Sequence, residues 1–283
     1  MRLILRKNDS ATSLLLFIYN LYMAKTAKDY IKLSSLLEMM KVFGKSETAI
    51  RMSLSRAAKA GLLTTSKQNN EVYYALTLEG NKTIMLWNEG VMQFWERYSL
   101  RNSEWDNKWY FINANFKEEK KDIRAKFLDK LQQFGFAQIN TSAWITPYHQ
   151  YEEVRKLIKE YSLEDGIVEI YGEMEIHEDV NSFLDKVFGT RKLENSYREF
   201  VNTFSGKLVE VRAVYKDHTF ISSGTALQVL HELGWSFFES AALDAVLPRA
   251  ILSEWAGDQA AYLMRELREM LIEASYKYIE KFE

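Results

Sequence analysis

The sequence contains no cysteine, only two prolines and only twelve glycines among its 283 residues. The absence of cysteine excludes disulfide scaffolds, thiol catalysis and cysteine-ligated metal sites, and it fits a reducing compartment. The scarcity of proline and glycine excludes collagen-like and low-complexity chains and favours helix. Because 47 % of the residues are hydrophobic and the net charge is only −2, the chain is globular. Its length predicts two or three packed units.

Long hydrophobic runs are also missing, so no segment is predicted to span a membrane. The apolar run 14–19 follows Arg2, Arg6 and Lys7 as in a signal peptide, but Asn20 ends it. Apolar residues in and after this run recur with helical spacing, which predicts an amphipathic helix. We therefore expect a cytoplasmic protein that does not bind membranes.

Charge is unevenly distributed along the chain. Residues 1–90 contain 13 Lys+Arg and 7 Asp+Glu, a net charge of +6, whereas the remainder contains 24 and 32, a net charge of −8. A basic first third favours contact with a polyanion such as nucleic acid. A basic surface that is merely solvated is the alternative.

The first eighty residues show the order of a winged helix-turn-helix. Three helical patterns cover about 13–23, 31–40 and 46–60, and Gly44 marks the turn before the third helix. Two β-rich segments, 62–67 and 71–77, then flank an asparagine-bearing turn and predict a hairpin. In this fold the third helix enters the major groove of DNA, and the hairpin, or wing, lies beside the backbone or minor groove.

The third helix has one face suited to DNA. Ser46 is the predicted N-cap and Gly61 the predicted end, while Ile50, Leu54, Ala57 and Ala58 are predicted to pack inward. Small hydroxyl side chains between arginines permit close approach to base edges and phosphates. The candidate DNA-binding residues are Ser46, Thr48, Arg51, Met52, Ser55, Arg56 and Lys59, with Lys67 and Asn69 in the wing.

The rest of the chain predicts an α+β multidomain protein. Strands at 109–114, 136–145 and 166–174 alternate with helices at 118–134 and 151–161, as in a ferredoxin-like α/β sandwich. A C-terminal tail helix, 259–282, carries an apolar stripe that packs against either its own chain or a second subunit. The predicted domains are a winged helix-turn-helix (1–80), a connecting helix (81–106), the central ferredoxin-like domain (107–180) and a mostly helical C-terminal domain (181–283), which includes helices at 196–204 and from 225.

Several segments resemble the PaaX family of bacterial repressors, in the right order over nearly the whole chain. The run 45–56 followed by 60–63 is similar to the recognition helix of that family, and 76–80 is similar to the segment after its wing. The further matching positions are Trp109, Gly135-Phe136, Trp144-Ile145-Thr146-Pro147 and Leu247-Pro248.

The resemblance implies a repressor, not an enzyme, of an aromatic acid (phenylacetate-type) catabolic operon. It also implies a homodimer on double-stranded operator DNA that an aryl-acyl-CoA effector, phenylacetyl-CoA or another acyl-CoA, releases. No cofactor is expected. The effector pocket is not assigned to residues, although tryptophans and Arg191, Lys192 or Arg198 have suitable chemistry for a ring and for CoA phosphates.

Enzymatic alternatives rest on few residues. Gly44-Lys45-Ser46 lacks the first glycine of a phosphate-binding loop, and 220–224 lacks that of a nucleophile elbow. The family's central domain is similar to small CRISPR-associated nucleases, whose metal-binding aspartate corresponds to Asn113 or Asn115 here, with Asp106 before the strand. Two alternatives remain: a protein-interaction platform without a small ligand, and a metal-dependent nucleic-acid hydrolase whose cation is bound by Glu173, Glu175, His177 and Asp179 at a strand end.

Overall fold

The computed structural model describes residues 10–116, 121–216 and 224–283. Within these residues the protein is an α+β fold with ten helices and two small antiparallel sheets. The described residues form two compact units, which do not follow chain order. The central unit comprises 89–199 and 238–258, and the terminal unit comprises 10–88, 200–237 and 259–283.

The N-terminal part of the terminal unit contains three helices and a three-stranded sheet, in the strand order β1-β3-β2. The first strand was not predicted, and the prediction that the second helix begins at Ile31 is wrong. Tyr30 and Ile31 pair with Ala75 and Tyr74 of a strand more than forty residues away, so local spacing gives no sign of it. The elements are α1 (Ala11–Thr26), β1 (Tyr30–Lys32), α2 (Leu33–Lys41), α3 (Glu47–Lys59), β2 (Leu63–Gln68) and β3 (Glu71–Leu76).

The sheet of the central unit has the order β5-β6-β4-β7, with every neighbouring pair antiparallel. The strand predicted at 136–145 is in fact two strands, because the side chain of Asn140 accepts hydrogen bonds from the backbone N–H of Ser142 and Ala143 and turns the chain. The predicted helix start at 118–120 lies outside the described residues. The elements are α4 (Leu78–Leu100), β4 (Trp109–Ala114), α5 (Lys121–Gln133), β5 (Ala137–Gln138), β6 (Ala143–Thr146), α6 (Tyr151–Glu160) and β7 (Ile167–Gly172).

The C-terminal part is helical, as predicted, but one helix is much longer than predicted and one more is present. α7 was not predicted, and the short helix expected at 196–204 is part of a much longer one. Leu263, Leu267, Leu271 and Ala274 of the tail stripe are buried within this single chain, so the stripe packs against the chain itself. The elements are α7 (Val180–Phe188), α8 (Thr190–Lys216), α9 (Thr225–Ala241) and α10 (Ala256–Ile279).

The central sheet has a hydrophobic core on each face, because successive side chains of β4 alternate in direction. Tyr110 and Ile112 pack with Phe127 and Leu131 of α5 on one face. Trp109 packs on the other face with α7 and with residues 245 and 247. No helix in the described parts of the chain is long and apolar enough to cross a membrane.

Candidate nucleic-acid interface

α3 begins and ends where the sequence predicts. Ser46 is its N-cap, and the Ser46 hydroxyl accepts a hydrogen bond from the backbone N–H of Ala49 over 3.3 Å. Gly44 before it and Gly61 after it have φ angles of +68° and +73°, which glycine adopts without strain. Glu47 lies in the first turn, where its negative charge interacts favourably with the positive end of the helix dipole.

The buried side of α3 consists of Ile50, Ser53, Leu54 and Ala57, at the spacing i, i+3, i+4, i+7. The prediction for Ala58 is wrong in degree, since Ala58 is only half-buried, and Ser53 takes its place in the core. The Ser53 hydroxyl has no hydrogen-bond partner among the described residues. α3 is therefore held by apolar packing, which fixes the direction of its opposite side.

All of the candidate DNA-binding residues are exposed. Met52 is 50 % exposed, so one apolar side chain lies among these polar ones. Arg51 forms an ion pair with Glu47 at 2.7 Å, which neutralises part of its charge. In the described structure no carboxylate lies within ion-pair distance of Arg56, Lys59 or Lys67, so these three cations are available to a partner.

The hairpin reverses at Asn69 and Asn70, whose φ angles are +47° and +68°. Two successive positive φ angles between paired strands are typical of a type I′ turn, which asparagine tolerates well. Lys67 lies on β2 opposite Val72, two residues before the turn. An ion pair of 2.7 Å between Lys32 and Glu71 connects β1 to the other strand of the hairpin. The hairpin tip is therefore a defined, exposed surface.

The turn before α3 is supported by residues of α9. This contact was not predicted from the sequence. The ring of His231 lies 4.9 Å from that of Phe17 and 5.6 Å from that of Phe43, edge-on to both. A Cβ atom added to Gly224, just before α9, would lie 1.9 Å from Val42. Burial, with the nearby charge of Lys45, lowers the pKa of His231 from 6.5 to about 4, so the imidazole is neutral in this cluster.

Two sequence comparisons match this chain to one family. The profile described as "PaaX-like protein" matches residues 10–80, and the profile described as "PaaX protein central Cas2-like domain" matches residues 102–183. Together they cover more than half of the chain. The chain belongs to the PaaX family. Membership suggests a regulator of a phenylacetic acid operon.

No curated protein matches this PaaX-family chain significantly. A solved structure has a similar fold. The structure is that of the uncharacterized protein Rv0674 from Mycobacterium tuberculosis. The two chains are 15 % identical, with a TM-score of 0.55 over 94 % of this chain and 97 % of that one. At this identity the likeness concerns the fold alone.

The PaaX-like positions after the hairpin have a structural explanation. The backbone N–H of Thr77 donates to the carbonyl of Leu62, and the Thr77 hydroxyl donates to the carbonyl of Gly61 over 2.5 Å. The same hydroxyl accepts from the backbone N–H of Gly80, which caps α4. A Cβ on Gly80 would lie 2.2 Å from the carbonyl oxygen of Leu62, so only glycine permits this approach.

Two of the PaaX-like positions of the central unit, Gly135 and Leu247, contact buried arginines of α4. Gly135 has a φ of +84°, and a Cβ there would lie 2.8 Å from Cδ of Arg97. Arg101 donates from Nη1 to the carbonyl of Leu247 over 2.6 Å. From the sequence this segment was predicted only as a connecting helix (81–106), and no role was predicted for either arginine.

The residues considered for a metal do not form a site, and those considered for CoA phosphates are exposed. Glu173, Glu175 and His177 follow the last residue of β7 without regular structure, so the predicted strand end there is wrong, and Asp179 caps α7. The described residues contain no group of three metal-ligand side chains. The three residues considered for CoA phosphates, Arg191, Lys192 and Arg198, are exposed on α8. Arg191 pairs with Asp185 at 3.5 Å, and Arg198 pairs with Glu194 at 2.6 Å.

Proposed function

We propose that this protein is a DNA-binding transcriptional repressor of a phenylacetate-type aromatic acid catabolic operon. Residues 10–80 form its winged helix-turn-helix, with α3 as the recognition helix and β2–β3 as the wing. The central sheet with α5 and α6 forms a ferredoxin-like domain, in agreement with the strand order β5-β6-β4-β7. The observation that carries this proposal is the exposed side of α3, where hydroxyls lie beside Arg56 and Lys59, which have no carboxylate partner among the described residues.

The contacts divide into base readout and phosphate binding. Arg51, Ser55 and Arg56, with Thr48 and Met52, face base edges, since arginine pairs with guanine and an apolar side chain meets the thymine methyl. Phosphate oxygens accept from Ser46, Lys59, Lys67 and Asn69. The ion pair between Glu47 and Arg51 opens or reorients on binding, because the Arg51 guanidinium cannot serve both partners in full.

Regulation in this proposal is by an acyl-CoA such as phenylacetyl-CoA. Such an effector weakens the operator complex only if it binds the DNA-free conformation more tightly than the DNA-bound one. A homodimer fits a two-fold symmetric operator, in which two recognition helices enter successive major grooves.

Fluorescence anisotropy with the upstream DNA of its own gene tests the proposal directly. We expect tight binding that weakens steeply with salt, because cations displace counterions from phosphates. Phenylacetyl-CoA is expected to release the operator. Binding no tighter than to random DNA would refute the repressor, whereas specific binding without release would refute only the effector.

Replacement of Arg56 by alanine tests the role of α3. If Arg56 reads a base, Arg56→Ala costs about 1–3 kcal/mol of operator binding and relaxes the preference at one base pair. Arg268→Ala, at an exposed arginine of α10, is the matched control and is expected to bind as the wild type does. Equal losses of Arg56→Ala on operator and random DNA would instead identify a phosphate contact.

A further inference from the structure

Most of α9 is packed in the same compact unit as α3. Residues 10–88 form that unit together with 200–237 and 259–283, so residues 225–237 of α9 belong to it. The three helices and the hairpin of the winged helix-turn-helix all lie within residues 10–80. α9 is therefore an addition to that fold, and its contacts with it are not needed to complete the fold's elements.

The N-terminal end of α9 approaches the end of α2 very closely. Gly224 directly precedes α9, and its carbonyl accepts a hydrogen bond from the backbone N–H of Gln228 over 3.0 Å. A Cβ atom added to Gly224 would lie 1.9 Å from Cγ1 of Val42 and 2.9 Å from Cγ2. Carbon atoms in contact are normally about 3.5–4.0 Å apart, so a larger residue at position 224 would have to displace Val42. Glycine is therefore required here for space.

The imidazole of His231, two helical turns along α9, continues this contact. Its ring is buried and edge-on to the rings of Phe17 and Phe43, which also meet each other edge to face at 6.4 Å. One turn further, Trp235 lies 6.1 Å from His231 and 6.3 Å from Trp87 of α4. Edge-to-face rings prefer a defined mutual geometry, so this cluster holds α1, α4, α9 and the turn before α3 in fixed relation.

Both contacts of α9 fall on the turn that sets the direction of α3. The backbone N–H groups of Phe43 and Gly44 donate over 3.2 and 2.9 Å to carbonyls of the last residues of α2, which closes that helix. Only residues 42–45 then separate α2 from Ser46, the N-cap of α3. Because this connection is so short, a displacement of Val42 or Phe43 is passed on to α3.

We propose that α9 is a positioning element of the recognition helix, in which Gly224 and His231 hold the turn before α3 where the side chains of α3 reach base edges. This inference rests on the proposed DNA-binding function. Hydrogen bonds to base edges require donor–acceptor distances of about 2.7–3.2 Å, so a small shift of α3 breaks them. The long, flexible lysine side chains that contact phosphates tolerate the same shift. α9 therefore sets the preference for the operator over other DNA.

Fluorescence anisotropy of the full chain on operator DNA and on random DNA of the same length tests this role. Gly224→Ala is expected to weaken operator binding by about 10- to 100-fold, which is the value of one base contact or more. Binding to random DNA depends on phosphate contacts and is expected to change by less than about twofold. A variant that is only destabilised loses affinity for both DNAs equally, because fewer folded molecules bind either one. Equal losses, or no loss, would overturn the proposal.

A compensating substitution and a matched control locate the effect. Val42→Ala removes both methyl groups that the added Cβ atom meets, so it is expected to restore most of the operator preference to the Gly224→Ala variant. Gly234→Ala, on the same helix, is the control, because a Cβ atom there meets nothing within 4 Å. It is expected to bind both DNAs as the wild type does. A double variant that discriminates no better than Gly224→Ala alone would refute this contact as the cause.

The ring cluster provides a second, independent pair of variants. His231→Ala removes the ring contacts and is expected to lower the operator preference, whereas His231→Phe keeps an aromatic ring there and is expected to retain it. If Gly224→Ala does not fold, this pair carries the test, and equal preference in both variants would overturn the proposal. A wild type that does not discriminate would refute the repressor and this inference together. A wild type that discriminates no better than Gly224→Ala would refute this inference alone.

Discussion

The ion pair between Arg101 and Asp258 is predicted to be a major stabilising contact of the central unit. Arg101 is 1 % exposed at its side chain, whereas Asp258 retains 23 % exposure. Besides the two bonds to Asp258, the guanidinium donates to the carbonyls of Leu247 and Leu252. Asp258→Asn removes the negative charge and leaves the buried positive charge with only neutral partners.

The expected cost follows from this burial. Breaking a buried ion pair by removing one partner costs about 3–5 kcal/mol, because the remaining charge stays desolvated. Since Asp258 is partly exposed and asparagine still accepts one hydrogen bond, we expect the lower end, about 3 kcal/mol. For a protein of this size, such a loss lowers Tm by about 6–12 °C.

The same carboxylate supplies its own control. Arg249, which is 54 % exposed, also pairs with Asp258, at 3.0 Å. An exposed pair contributes about 0–1 kcal/mol, so Arg249→Ala is expected to have a small effect. The free energies of unfolding are compared by urea denaturation followed by circular dichroism. If Asp258→Asn costs no more than Arg249→Ala, the burial argument is wrong.

Two further predictions concern the terminal unit. Ser46→Ala removes the N-cap of α3 and is expected to lower the free energy of unfolding by about 1 kcal/mol in the same urea assay. Ser55→Ala, on the same helix, is the control and is expected to leave the free energy of unfolding nearly unchanged. The pKa of His231 falls to about 4 in the folded state, so the unfolded state binds more protons as the pH falls from 6.5. Stability is therefore full above pH 6.5 and decreases by up to about 3 kcal/mol toward pH 4. His231→Phe is expected to flatten this slope in urea titrations at stepped pH, and an unchanged slope would contradict the assignment.

The parts predicted well from sequence are those encoded by nearby residues. α3 begins after the predicted cap at Ser46 and ends before Gly61, because caps and helical spacing act within a few residues. β4 has its predicted bounds, 109–114. Its residues are buried or partly buried throughout, because both faces of the strand are covered. The hairpin turn at Asn69 likewise follows from local chemistry.

The errors arise where distant residues decide the structure. β1 exists because Tyr30 and Ile31 meet β3, and no property of residues 30–32 alone distinguishes them from a helix start. The division of 136–145 depends on one side chain, Asn140, whose turn interrupts an otherwise strand-like run. The support of the α2–α3 turn by His231 joins residues nearly two hundred positions apart.

The two arginines of α4 show why a buried polar cluster is harder to predict than the exposed side of a helix. A recognition helix presents its side chains to solvent, so periodicity alone separates them from the core. Arg97 and Arg101 lie instead on the buried side, where periodicity predicts apolar residues, and most of their partners are backbone carbonyls of residues such as Gln133 and Leu247. Backbone carbonyls are present at every position and carry no sequence signal. The pairing of a buried arginine therefore becomes visible only once the chain is folded.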